Sequence, residues 1–306
     1  LKLNQEGMGT MFKKIILFLL LLINSNFSFA GMLNFKGPFW QDFDNINQRE
    51  KTLVYLPEDY KKNKKYPLVI SLHGLGASAS LQNLIFDFRA LVTEFQFILA
   101  VPNGLQGAAG LRFWNGTDFC CGENQKPVDD VQYVRDLIEG MAQEYSIDKK
   151  RIHLFGHSNG GFLSHRIGCE APELIASFAS FAGAMFKDPE KCEGRDAVPV
   201  LQIHGTSDLI IQYNGSSGYP SARETVNQWI KINKCIMDKV VKDQNQTLEP
   251  RNMTVPTLNT TEETWESCDN GTKVALWTVD KGEHLTEPNK EYLARVIKFL
   301  FQFTRK

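Results

Sequence analysis

The chain lacks a surplus of charge of either sign. Its 306 residues carry 34 lysines and arginines against 35 aspartates and glutamates, a formal net charge of −1. Nothing in that balance draws the chain to a phosphate backbone, so no nucleic-acid partner is expected. It also lacks an apolar stretch that spans a bilayer comfortably: residues 15–23, the run Ile-Ile-Leu-Phe-Leu-Leu-Leu-Leu-Ile, are too short. No internal repeat recurs and no linker separates two compositions, which excludes a solenoid and argues for one domain. With 42% hydrophobic and 23% charged residues, the composition excludes disorder and suffices for a substantial core.

The short apolar run is informative in its context. It follows Met11-Phe12-Lys13-Lys14 and precedes the small and polar residues up to Ala30, the three regions of a secretory signal peptide. Residues 1–30 are therefore read as upstream residues and a signal cleaved after Ala30, and residues 31–306 as a single catalytic domain. Loss of Lys2, Lys13, Lys14 and Glu6 leaves 31 basic against 34 acidic residues, a net charge of −3. The expected location is extracellular, or periplasmic in a bacterial host, with no membrane contact after cleavage. Cysteine usage agrees with export. Cys120, Cys121, Cys169, Cys192, Cys235 and Cys268 are even in number and all follow the signal. Six cysteines allow 15 pairings, of which Cys235 with Cys268, bracketing a polar excursion, is the first guess. Asn115, Asn214, Asn245, Asn252, Asn259 and Asn270 head Asn-x-Ser/Thr triplets, acceptors for glycans in a eukaryotic host.

Along the chain, short apolar runs alternate with helical periods. Strands are expected over residues 51–56, 66–72, 97–101, 151–155, 175–184, 198–204 and 272–279, and helices over 81–95, 128–145, 159–169, 221–233 and 287–303. This alternation predicts an α/β fold, a mostly parallel central sheet with helices on both faces. Ligands in such sheets bind at the carboxyl ends of the strands.

The segment Phe155-Gly156-His157-Ser158-Asn159-Gly160-Gly161 runs from an apolar strand into a helix, the context that a Gly-x-Ser-x-Gly nucleophile elbow requires. Ser158 is the candidate nucleophile. The backbone N–H of Asn159 points where an oxyanion forms, and Leu75, after His73-Gly74 at the end of an earlier strand, offers the second donor. Asp208 and His284 each follow a later strand, which completes the order serine, acid, histidine. Among six histidines, only His284 sits in a loop after the final strand. Asp129 and Asp130 read first as helix capping and stand as the alternative acid. His153 and His157 lie four apart across a strand and a turn, so they do not converge on a metal, and neither metal nor cofactor is expected. Phe113 and Trp114, in a long loop, are read either as exposed aromatics able to stack on substrate, with Trp114 the candidate substrate-binding residue, or equally as aromatics filling core beneath a disulfide-pinned surface loop.

These motifs resemble one family. Pro67-Leu68-Val69-Ile70-Ser71-Leu72-His73-Gly74, Trp114-Asn115-Gly116 with Cys120-Cys121-Gly122, Val128-Asp129-Asp130-Val131, the serine elbow, His204-Gly205-Thr206-Ser207-Asp208 and Gly282-Glu283-His284 are similar to the secreted feruloyl esterases and poly(3-hydroxybutyrate) depolymerases of the α/β-hydrolase superfamily. The resemblance covers roughly residues 51–303 and implies a serine carboxylic-ester hydrolase with Ser158, Asp208 and His284 as its triad, acting through an acyl-enzyme. The implied substrates are esters of plant cell-wall polysaccharide or short polyesters. One departure is Leu285-Thr286-Glu287-Pro288 after the histidine, where the family often carries an aromatic residue and a proline. Two alternatives share the fold: a non-catalytic extracellular binding protein, against which an intact triad argues, and a serine peptidase.

Overall fold

Short apolar runs assemble into the centre of a ten-stranded sheet. The computed structural model describes residues 35–41, 49–107, 110–121, 128–236, 240–243 and 258–305; the expected signal segment 1–30, Asn245 and Asn252 lie outside the described residues. The strands are β1 (Phe35–Gln41), β2 (Thr52–Pro57), β3 (Tyr66–Leu72), β4 (Ile98–Val101), β5 (Leu105–Gln106), β6 (Arg112–Phe113), β7 (Ile147–His157), β8 (Ser177–Phe181), β9 (Val200–Gly205), β10 (Val240–Asp243), β11 (Thr260–Trp265) and β12 (Val274–Val279). Their order in the main sheet is β1-β2-β4-β3-β7-β8-β9-β12-β11-β10, while β5 and β6 form a separate ribbon. The six strands from β4 to β12 run parallel; the two at each edge pair antiparallel.

The five longer helices are α1 (Ala79–Ile85), α2 (Asp130–Glu144), α3 (Asn159–Glu170), α4 (Ala222–Ile232) and α5 (Lys290–Leu300). Alternation along β3 assigns them to two layers. Leu68, Ile70 and Leu72 join a core with residues of α2, α3 and α4. Val69 faces the opposite layer, with residues of α1 and α5. Both faces of the central strands are therefore dry, which is why β3 and β9 are buried along their whole length. The fold is the α/β hydrolase sheet expected from the sequence.

Two local expectations change. The helix over 81–95 is broken: α1 ends at Ile85, Phe86 and Phe88 turn inward against Phe155, and Arg89 pairs with Asp87 before a short helical turn resumes at Val92. The polar excursion after Cys235 contains strands, β10 and β11, which extend the sheet beyond β12. The three disulfides are Cys120–Cys121, Cys169–Cys192 and Cys235–Cys268, the last being the pairing guessed from the sequence. Among the described residues no helix is long and apolar enough to cross a membrane.

Candidate active site

Ser158 stands between the last residue of β7 and the first of α3, with φ 53° and ψ −118°, a backbone region that costs a non-glycine residue on the order of 1–3 kcal/mol. Packing on both sides holds it there. The Ser158 N–H donates to the Phe181 carbonyl at the end of β8 (2.8 Å), and the Ser158 carbonyl accepts from Phe162 in the first turn of α3 (3.0 Å). The flanking glycines allow the turn to close: a Cβ on Gly156 would lie 2.1 Å from the Gly160 oxygen, and one on Gly160 2.3 Å from the Leu72 oxygen.

The Oγ of Ser158 lies 2.9 Å from Nε2 of His284, whose Nδ1 lies 2.8 Å from Oδ2 of Asp208. These three residues follow β7, β12 and β9, so parallel pairing of β9 with β12 brings the acid and the imidazole side by side. Their loops then lock backbone to backbone. Ser207 N–H donates to the Gly282 carbonyl, Thr206 N–H to that of Val279, and a Cβ on Gly205 would lie 2.2 Å from the Gly282 oxygen. The other carboxylate oxygen of Asp208 accepts from the N–H groups of Ile210 and Ile211 (2.8 and 2.9 Å). Burial by itself would raise the Asp208 carboxyl, but the imidazoles of His284 and His204 outweigh that and hold it well below the usual carboxylate range. A carboxylate that stays charged beside Nδ1 fixes the tautomer with Nε2 free to take a proton from Ser158.

Leu75 and Asn159, the expected oxyanion donors, follow β3 and Ser158 respectively. Gly74 packs against the serine, where a Cβ would lie 3.3 Å from Ser158 Cβ. The Gly74 carbonyl accepts from His73 Nδ1 (2.7 Å) and from Ala77 N–H (3.1 Å). Because a trans peptide points its C=O and N–H in opposite directions, holding that carbonyl turns the Leu75 N–H the other way. Gly104 N–H donates to His73 Nε2 (2.8 Å), which leaves the proton of the neutral ring on Nδ1. Burial pushes His73 down to about 4, so the ring is neutral at pH 7.

Of the two readings of Trp114, the structure takes core packing and overturns substrate binding. It is 0% exposed and Phe113 4%, so neither ring offers a face to a bound substrate. The Trp114 indole N–H instead donates to the His73 carbonyl (3.0 Å), and its backbone pairs with the Asn159 side chain. The long loop places its aromatics inward because the sheet and α2 leave a dry slot there, with Tyr133 6.0 Å from the indole. Asp129 and Asp130, the alternative acids, are engaged elsewhere: Asp129 caps α2 through Gln132 N–H, and buried Asp130 binds Arg49 and Asn115 N–H.

Two histidines gain a role that the sequence reading passed over. His157 Nε2–H donates to the His284 carbonyl (3.0 Å), and burial pushes its ring down to about 3. His204 Nε2–H donates to the Ile211 carbonyl (2.7 Å) and lies 3.5 Å from Asp208 Oδ2. Their positions, one before the serine and four before the acid, are the available signal, and it is faint because both lie within apolar strands. Around the site, Cys120, Phe162, Ala184, Ile211 and Tyr219 pack into an apolar cluster. Phe119, ring to ring with Tyr219 at 4.5 Å, and Leu209, next to the acid, are 37% and 73% exposed. Among the described residues no group of three or more His, Cys, Asp or Glu side chains is arranged to hold a metal ion.

The chain is 32% identical over 246 residues to feruloyl esterase B of Piromyces equi, covering 76% of this chain and 42% of that protein. It is 29% identical over 168 residues to the bifunctional acetylxylan esterase/xylanase of Neocallimastix patriciarum, covering 54% of this chain and 22% of that one. The chain thus spans less than half the length of these two relatives. Among solved structures, the acetyl xylan esterase from Aspergillus awamori superposes with a TM-score of 0.60 at 14% identity, over 85% of this chain and 97% of that one, a likeness of fold. Residues 59–253 match the phospholipase/carboxylesterase family, and with that match spanning more than half of its length the chain belongs to this family of α/β-hydrolases.

Proposed function

We propose that the chain is a secreted serine esterase that cleaves carboxylic esters through an acyl-enzyme on Ser158. The observation that carries this reading is the unbroken hydrogen-bond chain from Ser158 through His284 to Asp208, built on a backbone strained at the serine. His284 Nε2 takes the Ser158 proton as Oγ attacks the ester carbonyl carbon. The carbonyl π electrons move to oxygen, where the N–H groups of Leu75 and Asn159 receive the charge. Collapse expels the alcohol oxygen, which takes the proton from His284. Water then attacks the acyl-enzyme, giving its proton to His284, and the acid leaves as the proton returns to Ser158 Oγ. Asp208 stays ionised throughout and stabilises the imidazolium.

The relatives' names, feruloyl esterase and acetylxylan esterase, support feruloyl and acetyl esters of plant cell-wall polysaccharide as substrates. Three disulfides, together with the signal-like residues 1–30, support export. The test compares the protein with Ser158→Ala on methyl ferulate, p-nitrophenyl acetate and butyrate, and a hydroxybutyrate oligomer. Hydrolysis that falls by at least about a thousandfold in the variant is expected, and the substrate ranking selects the acyl group. Absence of hydrolysis by folded, oxidised protein on every ester would overturn the reading.

A further inference from the structure

Two backbone donors from distant parts of the chain must meet at one oxygen. Leu75 follows β3 and Asn159 opens α3 just after β7, the strand that pairs in parallel with β3 as far as Leu72 and Gly156. Beyond those strand ends, Trp114 ties the two segments together. Its backbone N–H donates to Asn159 Oδ1 and its carbonyl accepts from Asn159 Nδ2, both at 2.7 Å, so the side chain beside the serine is gripped twice. Its indole N–H donates to the His73 carbonyl at 3.0 Å. Two residues earlier in the same loop, the Arg112 carbonyl accepts from Gly76 N–H at 2.7 Å. Leu75 is thus bracketed by His73 and Gly76, each held to the strip of chain that also holds Asn159. Trp114, His73 and Asn159 are all 0% exposed, so water offers no replacement partner for any of these groups.

We propose that Trp114 is a positioning residue for the oxyanion site: its backbone fixes the Asn159 side chain while its indole holds the His73 carbonyl, setting the Leu75 and Asn159 N–H groups at a common point beside Ser158. This rests on the serine-esterase reading above. Loss of an oxyanion donor lowers the rate on the order of a hundred- to a thousandfold, and a displaced donor loses part of that. Since the oxyanion exists only after attack begins, the loss falls on kcat rather than on KM.

Trp114→Phe removes the indole N–H and keeps the backbone grip; Asn159→Ala removes the grip and keeps the Asn159 N–H. Each variant is titrated with a fluorophosphonate, so that stoichiometric labelling counts folded sites and the labelling rate reads stabilisation of the tetrahedral adduct. Per titrated site, both are expected to lose about ten- to a hundredfold in kcat and to label more slowly, with KM within about twofold of the parent. The double variant is expected to lose less than the product of the single losses, because one brace is broken twice. Wild-type kcat per site in Trp114→Phe would overturn the proposal, as would a raised KM with kcat retained, which marks a substrate contact. A loss accounted for wholly by fewer titratable sites would also overturn it. Full activity in Ser158→Ala would remove the Ser158 acyl-enzyme reading itself, a result separable from all of these.

Discussion

Glycine positions 156 and 160 show how narrow the elbow is. With the Gly160 oxygen 2.1 Å from where a Gly156 Cβ would stand, backbone rather than a flexible side chain has to yield. Gly156→Ala is therefore expected to destabilise the fold by about 3 kcal/mol, measured as a shift in urea midpoint at unchanged m value. His157 acts at the other side of the serine. Its ring packs between Phe86 and Phe181, and its Nε2–H holds the carbonyl of His284, the residue that faces Ser158. His157→Phe keeps the packing and drops the donor, so a kcat lower by about tenfold at unchanged KM is expected from steady-state kinetics on p-nitrophenyl acetate. The two residues differed in legibility. Glycine two positions from the serine is part of a spacing that the turn demands, whereas His157 lies at a variable position of that motif and only the return of the β12 loop gives it a partner.

At the scale of elements, the strands that carry the site were readable because they are buried on both faces and so run as continuous apolar stretches. The edges were not. β11, Thr-Thr-Glu-Glu-Thr-Trp, is half solvated and reads as polar loop until β12 supplies hydrogen-bond partners. Chain order plus strand ends pointed to Ser158, Asp208 and His284, which the structure brings together, while the choice between an inward and an exposed Trp114 depends on a slot formed by α2 that no local pattern announces. The edge strands also define what Cys235–Cys268 does. That bond closes a 33-residue interval containing all of β10 and β11, and none of Ser158, Asp208 or His284 lies within it. Replacing both cysteines by serine is expected to cost about 2–4 kcal/mol in denaturant unfolding, with kcat per titrated site unchanged.

For the molecule as a whole, buried histidines dominate the response to acid. Burial lowers His73 and His165 to about 4 and His153 and His157 to about 3. An unfolded histidine binds its proton near pH 6.5, so between that pH and about 4 the unfolded chain holds protons that the folded one refuses. The stability linked to these four groups is full above about pH 6.5 and is lost as pH falls toward 4, by up to roughly 1.4 kcal/mol per pH unit for each group. Asp208, held low, adds its own loss only further down, as pH falls below about 4. Unfolding free energies measured by urea titration at pH 7.5, 6 and 5 should fall steeply across that series, and a flat profile would contradict the assignment of neutral buried rings. One further consequence lies in how the site's loops are held. The Asp208 turn is fastened by its own carboxylate to Ile210 and Ile211 N–H, and the Trp114 loop by Asn159, so Leu209 and Phe119 project from scaffolds that do not depend on their side chains. Under the proposed function, substitution at this rim can therefore change which ester fits while Ser158, Asp208 and His284 keep their places, which makes substrate preference the trait most open to divergence.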